Sequence, residues 1–369
     1  MNLHNINTIA GYEGKLLKRS WLFRIFAFLA LFGISVITLW YFTPLLDRLG
    51  TIWPREAVSS QIPFFNTRLY SMAQSMIAVF LAGNFLQRDK KLDTAEVIYV
   101  RPMSNADYIV GKTWGIIRVF AMLNVISLMI TAFLHLALTS SPFSVFPYVF
   151  YLLTISIPSL IFVLGLSFTM MCLLKNQAVT FVVMLGIIGV SFFYVKDACF
   201  GAFDFFGVYI PVIFSDVTGH AHLGLFLLQR FIYLMAGAGF LCFTIALVKR
   251  LPHKPWKTAI VHALGGMFLL IALAAGGLYI YHYHHGLQTR NEYIAVFNRY
   301  AGERHANIPT HVLTVTPGSR QLEGESRMKV ENRHADALEH IILYLNPALQ
   351  VTEVRYNGET IHFHREHQA

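Results

Sequence analysis

Apolar runs separated by short polar segments dominate the first three-quarters of the chain. A helix that crosses a bilayer needs about 20 mostly apolar residues. Seven stretches approach that length, so the pattern predicts an α-helical integral membrane protein with seven spans. Their approximate bounds are 21–46, 69–87, 113–139, 147–174, 177–195, 223–247 and 258–282.

The composition also favours a lipid environment over water. The 369 residues are 55% hydrophobic and 13% charged, whereas soluble domains average roughly 25% charged residues. A cleavable signal peptide is not expected, because the first apolar run is longer than the ~7–15 residues of a signal-peptide core. Before that run, IAGYEGKLLKRSWLF alternates apolar and basic residues. It is either an interfacial helix that bends into the first span or an ordinary basic flank.

The positive charges behind the net charge of +9 are spread unevenly over the segments between the spans. In membrane proteins Lys and Arg concentrate in the cytoplasmic loops. Alternate segments, beginning with the N-terminus, hold thirteen of them: Lys15, Lys18, Arg19, Arg88, Lys90, Lys91, Arg101, Lys112, Lys175, Lys249, Arg250, Lys254 and Lys257. The short loops on the other side hold four: Arg48, Arg55, Arg68 and Lys196. We therefore predict a cytoplasmic N-terminus, an extracytoplasmic C-terminus and lipid, not nucleic acid, as the surrounding partner.

Residues 286–369 have a different character, with many charges and no apolar run of span length. Short alternating runs predict three to five antiparallel strands in HVLTVTP, LEGESRMKVEN, ALEHIILYLNP and LQVTEVRYNGETIHFH. Asn357-Gly358 between two alternating arms predicts a two-residue hairpin. The expected result is a small extracytoplasmic β domain, which is marginal alone and is completed by a partner or by more chain.

Several polar residues lie inside the predicted spans, and an intramembrane Arg suggests function by default. Arg230, Asn124 and Gln74 are candidates for a translocation path; Asn84 and His135 belong with them. For the neutral side chains, hydrogen bonding between helices is the simpler role. For Arg230 the alternative is that its side chain reaches the outer headgroups. Pro158 predicts a kink in the fourth span.

Motifs for chemistry within the chain are absent from the sequence. There is no GxxxxGK[ST] phosphate loop and no HExxH zinc motif. Two histidine clusters, YHYHH and the terminal HFHREHQA, contain a metal-binding residue type, but we favour ordinary polar segments and predict no metal site. The sequence therefore predicts neither an enzyme nor a cofactor.

The charged segment RDKKLDTAEVIYVRPMSNADYIVGK, residues 88–112, separates the second and third spans. Asp93-Thr94 is a helix-starting pair and Arg101-Pro102 ends that short helix. Ser104 then begins a new helix, with Asp107 at the spacing of a capping box. Apolar Val97, Ile98 and Met103 would face the cytosol, which favours a docking element over a plain connector.

This segment resembles the first cytoplasmic loop of ABC-2-type transporter permeases. The matching residues are Glu96, Pro102, Met103, Ser104, Asp107, Tyr108, Gly111 and Lys112. The resemblance implies a six-span permease unit over residues 1–250, a cytoplasmic loop and seventh span over 251–285, and a place in a bacterial cytoplasmic membrane. It implies two partners, a separate ATPase subunit and a second permease unit, identical or related. The residues that would couple to the ATPase are Asp93, Thr94, Glu96, Val97, Ile98, Arg101, Pro102 and Met103.

The tail resembles the start of the N-terminal β domain of M1-family aminopeptidases. The matching residues are Gly324, Asn332, Leu343, Leu345, Asn346 and Val354. The zinc-binding catalytic domain of that family has no counterpart here, so peptidase activity is not implied. The alternative function is the front part of a membrane-anchored aminopeptidase. A seven-span receptor fits poorly, because the predicted orientation is opposite to the usual one.

Overall fold

The computed structural model describes residues 1–42, 60–91, 103–138, 142–195, 198–207, 214–215, 219–220, 222–248, 255–318 and 322–369. They form two compact units, Met1–Tyr281 and His282–Ala369. The first unit is helical apart from one short pair of strands, and the second combines helix with antiparallel strand pairs.

Eight helices are described, and their positions follow the apolar pattern. They are α1 (Leu3–Arg19), α2 (Trp21–Phe42), α3 (Gln61–Lys91), α4 (Asn105–Leu138), α5 (Val145–Leu174), α6 (Gln177–Phe193), α7 (Leu223–Leu247) and α8 (Pro255–Tyr300). Five of the described helices, α2, α4, α5, α7 and α8, are long and apolar enough to cross a membrane. The second and fifth predicted spans are not among the five: α3 carries many polar side chains, and α6 is apolar but 17 residues long.

α1 is a helix of its own. Ser20 is in extended conformation and its N–H bonds to the carbonyls of Leu16 and Leu17, which separates α1 from α2. This stretch is therefore helical, as one of the two interpretations expected. One face of α1 is buried, including Ile6, Ala10 and Leu17.

α5 contains a π turn at Leu152–Ser156. Pro158 follows two residues later; it has no N–H to donate, and its ring displaces the carbonyl one turn earlier. A π turn absorbs that conflict by passing hydrogen bonds to more distant partners. Pro158 predicts a kink; what the structure shows here is a π turn that ends two residues before the proline.

Glycines bring α5 and α7 into backbone contact. A Cβ built on Gly165 would lie 2.5 Å from the Gly237 carbonyl oxygen, and one on Gly237 would lie 2.7 Å from the Phe162 nitrogen. Small residues permit this close approach where helix association relies on packing rather than on water exclusion. Around the crossing, the core is filled by large buried side chains such as Leu160, Phe168 and Tyr233.

The second unit departs from the sequence expectation in two places. α8 continues to Tyr300, so the β-rich tail predicted from residue 286 begins with helix. The segment ALEHIILYLNP, which carries part of the aminopeptidase resemblance, forms no strand. Its apolar positions alternate, but a strand also needs a hydrogen-bonded neighbour.

The described strands form separate antiparallel pairs. β1 (Phe214–Ser215) pairs with β2 (Gly219–His220) in the first unit. In the second unit, β3 (Asn307–Pro317) pairs with β4 (Leu322–Glu331), and β5 (Arg355–Tyr356) with β6 (Glu359–Thr360). Asn357 and Gly358 between β5 and β6 both have positive φ, 52° and 92°. The two-residue hairpin predicted there is confirmed, with the type I′ backbone that Asn-Gly favours.

Candidate functional site

The start of α4 is a capped corner inside the charged segment, at residues 103–107. The Ser104 hydroxyl accepts from the Asp107 N–H at 3.0 Å, and the Asp107 carboxylate accepts from the Ser104 N–H at 3.2 Å. This reciprocal pair is the geometry of a capping box. Asp107 also accepts from the Asn2 N–H at 2.8 Å, so the same carboxylate anchors the beginning of α1.

α1 packs along the first turns of α4 at short range. A Cβ on Gly111 would lie 2.9 Å from the Ile9 side chain, and one on Gly115 would lie 2.8 Å from the Ala10 carbonyl oxygen. Glu13 and Lys112 form an ion pair at 3.9 Å with both side chains buried. Removing either charge would take one counter-ion from the other buried charge, which is costly. α1 and α4 are therefore held as one element at the corner.

A third helix joins this corner. The Asn105 amide nitrogen donates to the Val248 carbonyl oxygen at 2.7 Å. Val248 caps the C-terminus of α7, where helical carbonyls lack partners within the helix. The beginnings of α1 and α4 and the end of α7 thus meet at residues 103–107.

Most of the predicted coupling residues lie outside the described part of the chain. They are Asp93, Thr94, Glu96, Val97, Ile98, Arg101 and Pro102. Met103 is described: it is half-buried and packs against the hydrophobic core, so it is not the fully exposed side chain that the docking hypothesis expects. The start of α4 draws this side chain inward together with Tyr108 and Ile109.

Two of the three predicted path residues are in direct contact. The Asn124 amide donates to the Gln74 side-chain oxygen at 2.9 Å, and the Ser156 hydroxyl donates to the Asn124 oxygen at 2.9 Å. Gln74 also donates to the Ser156 carbonyl at 3.1 Å, and the Ser71 hydroxyl lies 3.0 Å from that of Ser156. We call Ser71, Gln74, Asn124 and Ser156 the polar network. It joins α3 and α4 to the π turn of α5.

A second set of polar contacts continues along α3 and α4. The Ser127 hydroxyl donates to the Asn66 side-chain oxygen at 3.0 Å, and the Asn66 amide donates to the Thr131 hydroxyl. One turn further, His135 shares a hydrogen bond of 2.9 Å with the Tyr148 hydroxyl. All five side chains are buried. Hydrogen bonding between helices, the simpler role expected for the neutral polar residues, is the role these contacts display.

Arg230, the third predicted path residue, lies in a different set of contacts. Its guanidinium donates to the carbonyls of Asp204 at 2.7 Å and Phe205 at 3.1 Å, and to the Gln229 side-chain oxygen at 2.6 Å. The side chain is 2% exposed, so it does not extend to outer headgroups as the alternative required. The Tyr233 ring lies under the guanidinium at 5.5 Å.

Arg230 is one of several side chains that bind the carbonyls of residues 198–207, which we call the clamped loop. Cys199 and Phe200 have positive φ, as does Gly201, so the loop is not a continuation of a helix. Helices α5 to α8 each donate to it, and together they bind every carbonyl from Phe200 to Phe205. The donors are Tyr279 (to Phe200), Gln229 (to Gly201 and Asp204), Tyr233 (to Ala202), Ser191 (to Phe203), Arg230 (to Asp204 and Phe205) and Ser159 (to Phe205).

Sequence reasoning identified Arg230 but missed its neighbours in this cluster. Gln229 and Tyr233 occupy one face of α7 together with Phe226, and their spacing of three and four residues was the available signal. Ser159 lies three residues after Ser156, so a single turn of α5 contacts both the polar network and the clamped loop. Among the described residues, no three His, Cys, Asp or Glu side chains are grouped to hold a metal ion.

Two comparisons with known proteins gave no match. No protein-family model matches the chain, and no curated protein matches it.

Proposed function

We propose that this chain is the membrane-spanning permease subunit of an ATP-binding-cassette exporter. A separate subunit hydrolyses ATP and acts on residues 92–103, and this chain converts that action into substrate movement. The observation that carries the proposal is the capped corner at residues 103–107, where the charged segment meets three helices at once. A plain connector has no need of such an anchor.

The contacts at the corner supply a route for force. A displacement of the charged segment reaches α4 through the capping box and reaches α1 through the Asp107 bond to Asn2. The buried Glu13–Lys112 pair and the close approach at Gly115 oblige α1 and α4 to move together. Asn105 extends the same movement to the end of α7. Packed elements with few alternative arrangements transmit such shifts without absorbing them.

The polar network supports a translocation path along α3, α4 and α5. Gln74 and Asn124 satisfy each other in the described arrangement, and the π turn beside them is a common feature of functional sites. Movement of α4 would separate Asn124 from Gln74 and free amide groups for a substrate or for water. Arg230 lies outside the polar network, and its connection to the path is through α5, where Ser159 binds the same Phe205 carbonyl.

The topology completes the proposal. The chain crosses a bacterial cytoplasmic membrane seven times, with the N-terminus inside and residues 286–369 outside. α3 and α6 supply the second and fifth crossings, since polar α3 is shielded by its neighbours within the bundle. The charged segment and the corner then lie on the cytoplasmic side, where ATP is available.

The test is co-purification of the tagged full-length chain with ATPase activity from its native membrane. We expect the wild-type chain to retain an ATPase whose sequence contains GxxxxGK[ST]. The double variant Glu96→Arg, Val97→Asp should reduce the retained activity about tenfold, since like charges and a buried carboxylate oppose docking.

Lys175→Glu is the matched control, because it also changes a charge in a segment predicted to be cytoplasmic. It should leave the retained ATPase unchanged. Equal retention by the double variant and the wild type would refute coupling through this segment. Loss of the ATPase in the control as well would refute a specific docking role for residues 92–103.

A further inference from the structure

The hairpin of β3 and β4 has two chemically different faces. Cross-strand pairing of Leu313 with Ser326 and of Val315 with Gly324 defines one face. That face also carries Met328 and Val330, so most of its large side chains are apolar. The opposite face carries the five charged residues of β4, which are Glu323, Glu325, Arg327, Lys329 and Glu331.

The apolar face is open to solvent. Leu313 is 60% exposed, Val315 44%, and Met328 and Val330 are nearly as accessible. Within the described residues, neither strand of the hairpin has a hydrogen-bonded neighbour on its outer side. A two-stranded ribbon is marginal in water, and an open edge is a template for another strand.

The two edges differ in their capacity to accept a strand. β3 has proline at Pro309 and Pro317, and proline cannot donate to a ladder. β4, with the sequence LEGESRMKVE, has no proline. The outer edge of β4 is therefore the one suited to pairing.

The sequence of β4 is complementary to itself. If two copies of β4 run antiparallel with Ser326 opposite Ser326, Glu325 faces Arg327 and Glu323 faces Lys329 on one side of the ribbon. On the other side Gly324 faces Met328. A register shifted by one residue loses this match, since Glu325 would then face Met328. Opposite charges directly across a ladder stabilise pairing, and like charges oppose it.

The charges are free to exchange partners. In the single chain, Arg327 binds Glu325 at 2.9 Å and Lys329 binds Glu331 at 2.9 Å, both along the strand. These pairs are largely exposed, and exposed pairs contribute little stability. Replacing a contact along the strand with one across it keeps a salt bridge and adds backbone hydrogen bonds.

We propose that β4 is a dimerisation edge and that its partner is β4 of a second copy of this chain. The product is a sheet of order β3-β4-β4-β3 with every Leu313, Val315, Met328 and Val330 on one face. The two-fold axis passes between the Ser326 residues, so the contact is closed at two copies. This inference is independent of the ATPase coupling proposed above.

Cysteine cross-linking of the full-length chain in membranes tests the register. In a background where Cys172, Cys199 and Cys242 are replaced by Ala, Ser326→Cys places the two cysteines opposite each other. Their Cα atoms would be about 4.5–5.5 Å apart, within the roughly 4.4–6.8 Å that a disulfide spans. Oxidation should yield a covalent dimer of the chain.

Thr314→Cys is the control, because this exposed residue lies on β3 opposite Glu325. Across the proposed sheet the two copies of residue 314 are three strand spacings apart, about 14 Å, and should not cross-link. Equal cross-linking at 314 and 326 overturns the proposal. So does capture of a different protein by Ser326→Cys.

Charge exchange tests the chemistry of the edge. In the Ser326→Cys background, Arg327→Glu places Glu opposite Glu twice in each dimer and should slow cross-linking about fivefold. Glu325→Arg should do the same with arginines. The double variant Glu325→Arg, Arg327→Glu restores opposite charges and should recover the original rate. Failure of the double variant to exceed both single variants overturns the proposed pairing.

Discussion

The two units of the chain distribute polar and apolar groups in opposite ways. In the helical unit, Gln74, Asn124 and Arg230 are buried and bonded to other parts of the protein. In the second unit, Leu313 and Ile341 are exposed while charged side chains pair at the surface. The difference is the one expected under the proposed topology, in which lipid surrounds the helical unit and water the second.

Where lipid surrounds a helix bundle, apolar packing alone distinguishes poorly between neighbouring helices and the bilayer. Buried polar atoms must find partners within the protein, and those partners then fix the helices relative to one another. In water the burial of apolar surface drives assembly instead. The exposed apolar face of the second unit therefore indicates a contact yet to be made, whereas the buried polar groups of the first indicate contacts already made.

The largest loss of stability is expected from a substitution at the crossing of α5 and α7. Gly237→Val inserts a side chain where even a Cβ would lie 2.7 Å from the Phe162 nitrogen. We expect a loss of about 3 kcal/mol or more in the free energy of unfolding, because backbone atoms cannot move aside as side chains do. Detergent denaturation of the purified chain measures it. Gly224→Val in the same helix, where nothing lies within 4 Å, should be nearly neutral.

Arg230→Met should have the next largest effect. It leaves the carbonyls of Asp204 and Phe205 without a charged donor, at a cost of about 3 kcal/mol in unfolding free energy. Hydrogen exchange of residues 198–207 should rise at the same time. Arg118→Met, which removes an exposed contact with Asn7, is the control. Unchanged exchange in Arg230→Met would show that the other donors suffice to hold the loop.

A double-mutant cycle on Gln74 and Asn124 measures how strongly these two buried amides stabilise each other. Each single change to Leu leaves a buried amide with one partner fewer, and the double change removes both. We expect a coupling of about 1 kcal/mol, near the upper range for polar contacts between membrane helices. The same unfolding assay gives it. Strictly additive single effects would mean that the two amides do not support each other.

The smallest effect is a pH dependence in the second unit. The Tyr300 hydroxyl and the Arg299 guanidinium bind the Glu366 carboxylate and hold its pKa below the usual 4.5. Because the folded pKa is lowered, this contact stabilises the unit at neutral pH and is lost as the pH falls through that lowered value. The protection of residues 365–369 against hydrogen exchange, relative to the intrinsic exchange rate at each pH, should fall on acidification below pH about 4.5.

Glu366→Gln separates this contact from general acid effects. The variant should show lowered protection at neutral pH and little further loss of protection at low pH. If wild type and variant respond identically to acid, the contact does not control the order of the C-terminal residues.

Features encoded by neighbouring residues were predictable from the sequence. The hairpin at Asn357-Gly358 follows from two residues that tolerate positive φ. The bounds of α7 follow from a run that is mostly apolar although it contains Gln229 and Arg230, and a separate α1 was one of the two interpretations of its alternating pattern. The capping box requires a hydroxyl and a carboxylate three residues apart, and Ser104 and Asp107 provide both.

Features that depend on distant partners were not predictable. The clamped loop receives its hydrogen bonds from residues as far as 79 positions away, and its acceptors are backbone carbonyls, which every residue has. The end of α8 at Tyr300 was missed because polar residues after His282 were interpreted as a change of structure, although polar sequences also form helices. ALEHIILYLNP alternates like a strand, but alternation does not supply a pairing edge.

The clamped loop has a consequence for how this protein can diverge. Because its shape is held through carbonyl oxygens, the side chains of Ala202 and Phe203 take no part in those bonds. The constraint lies instead on Gln229, Arg230 and Tyr233 in α7, and on Gly201 and Gly207 through their positive φ. Among descendants of this sequence, we expect the loop to tolerate substitution while the helix face that binds it stays fixed, the reverse of the usual contrast between loops and helices.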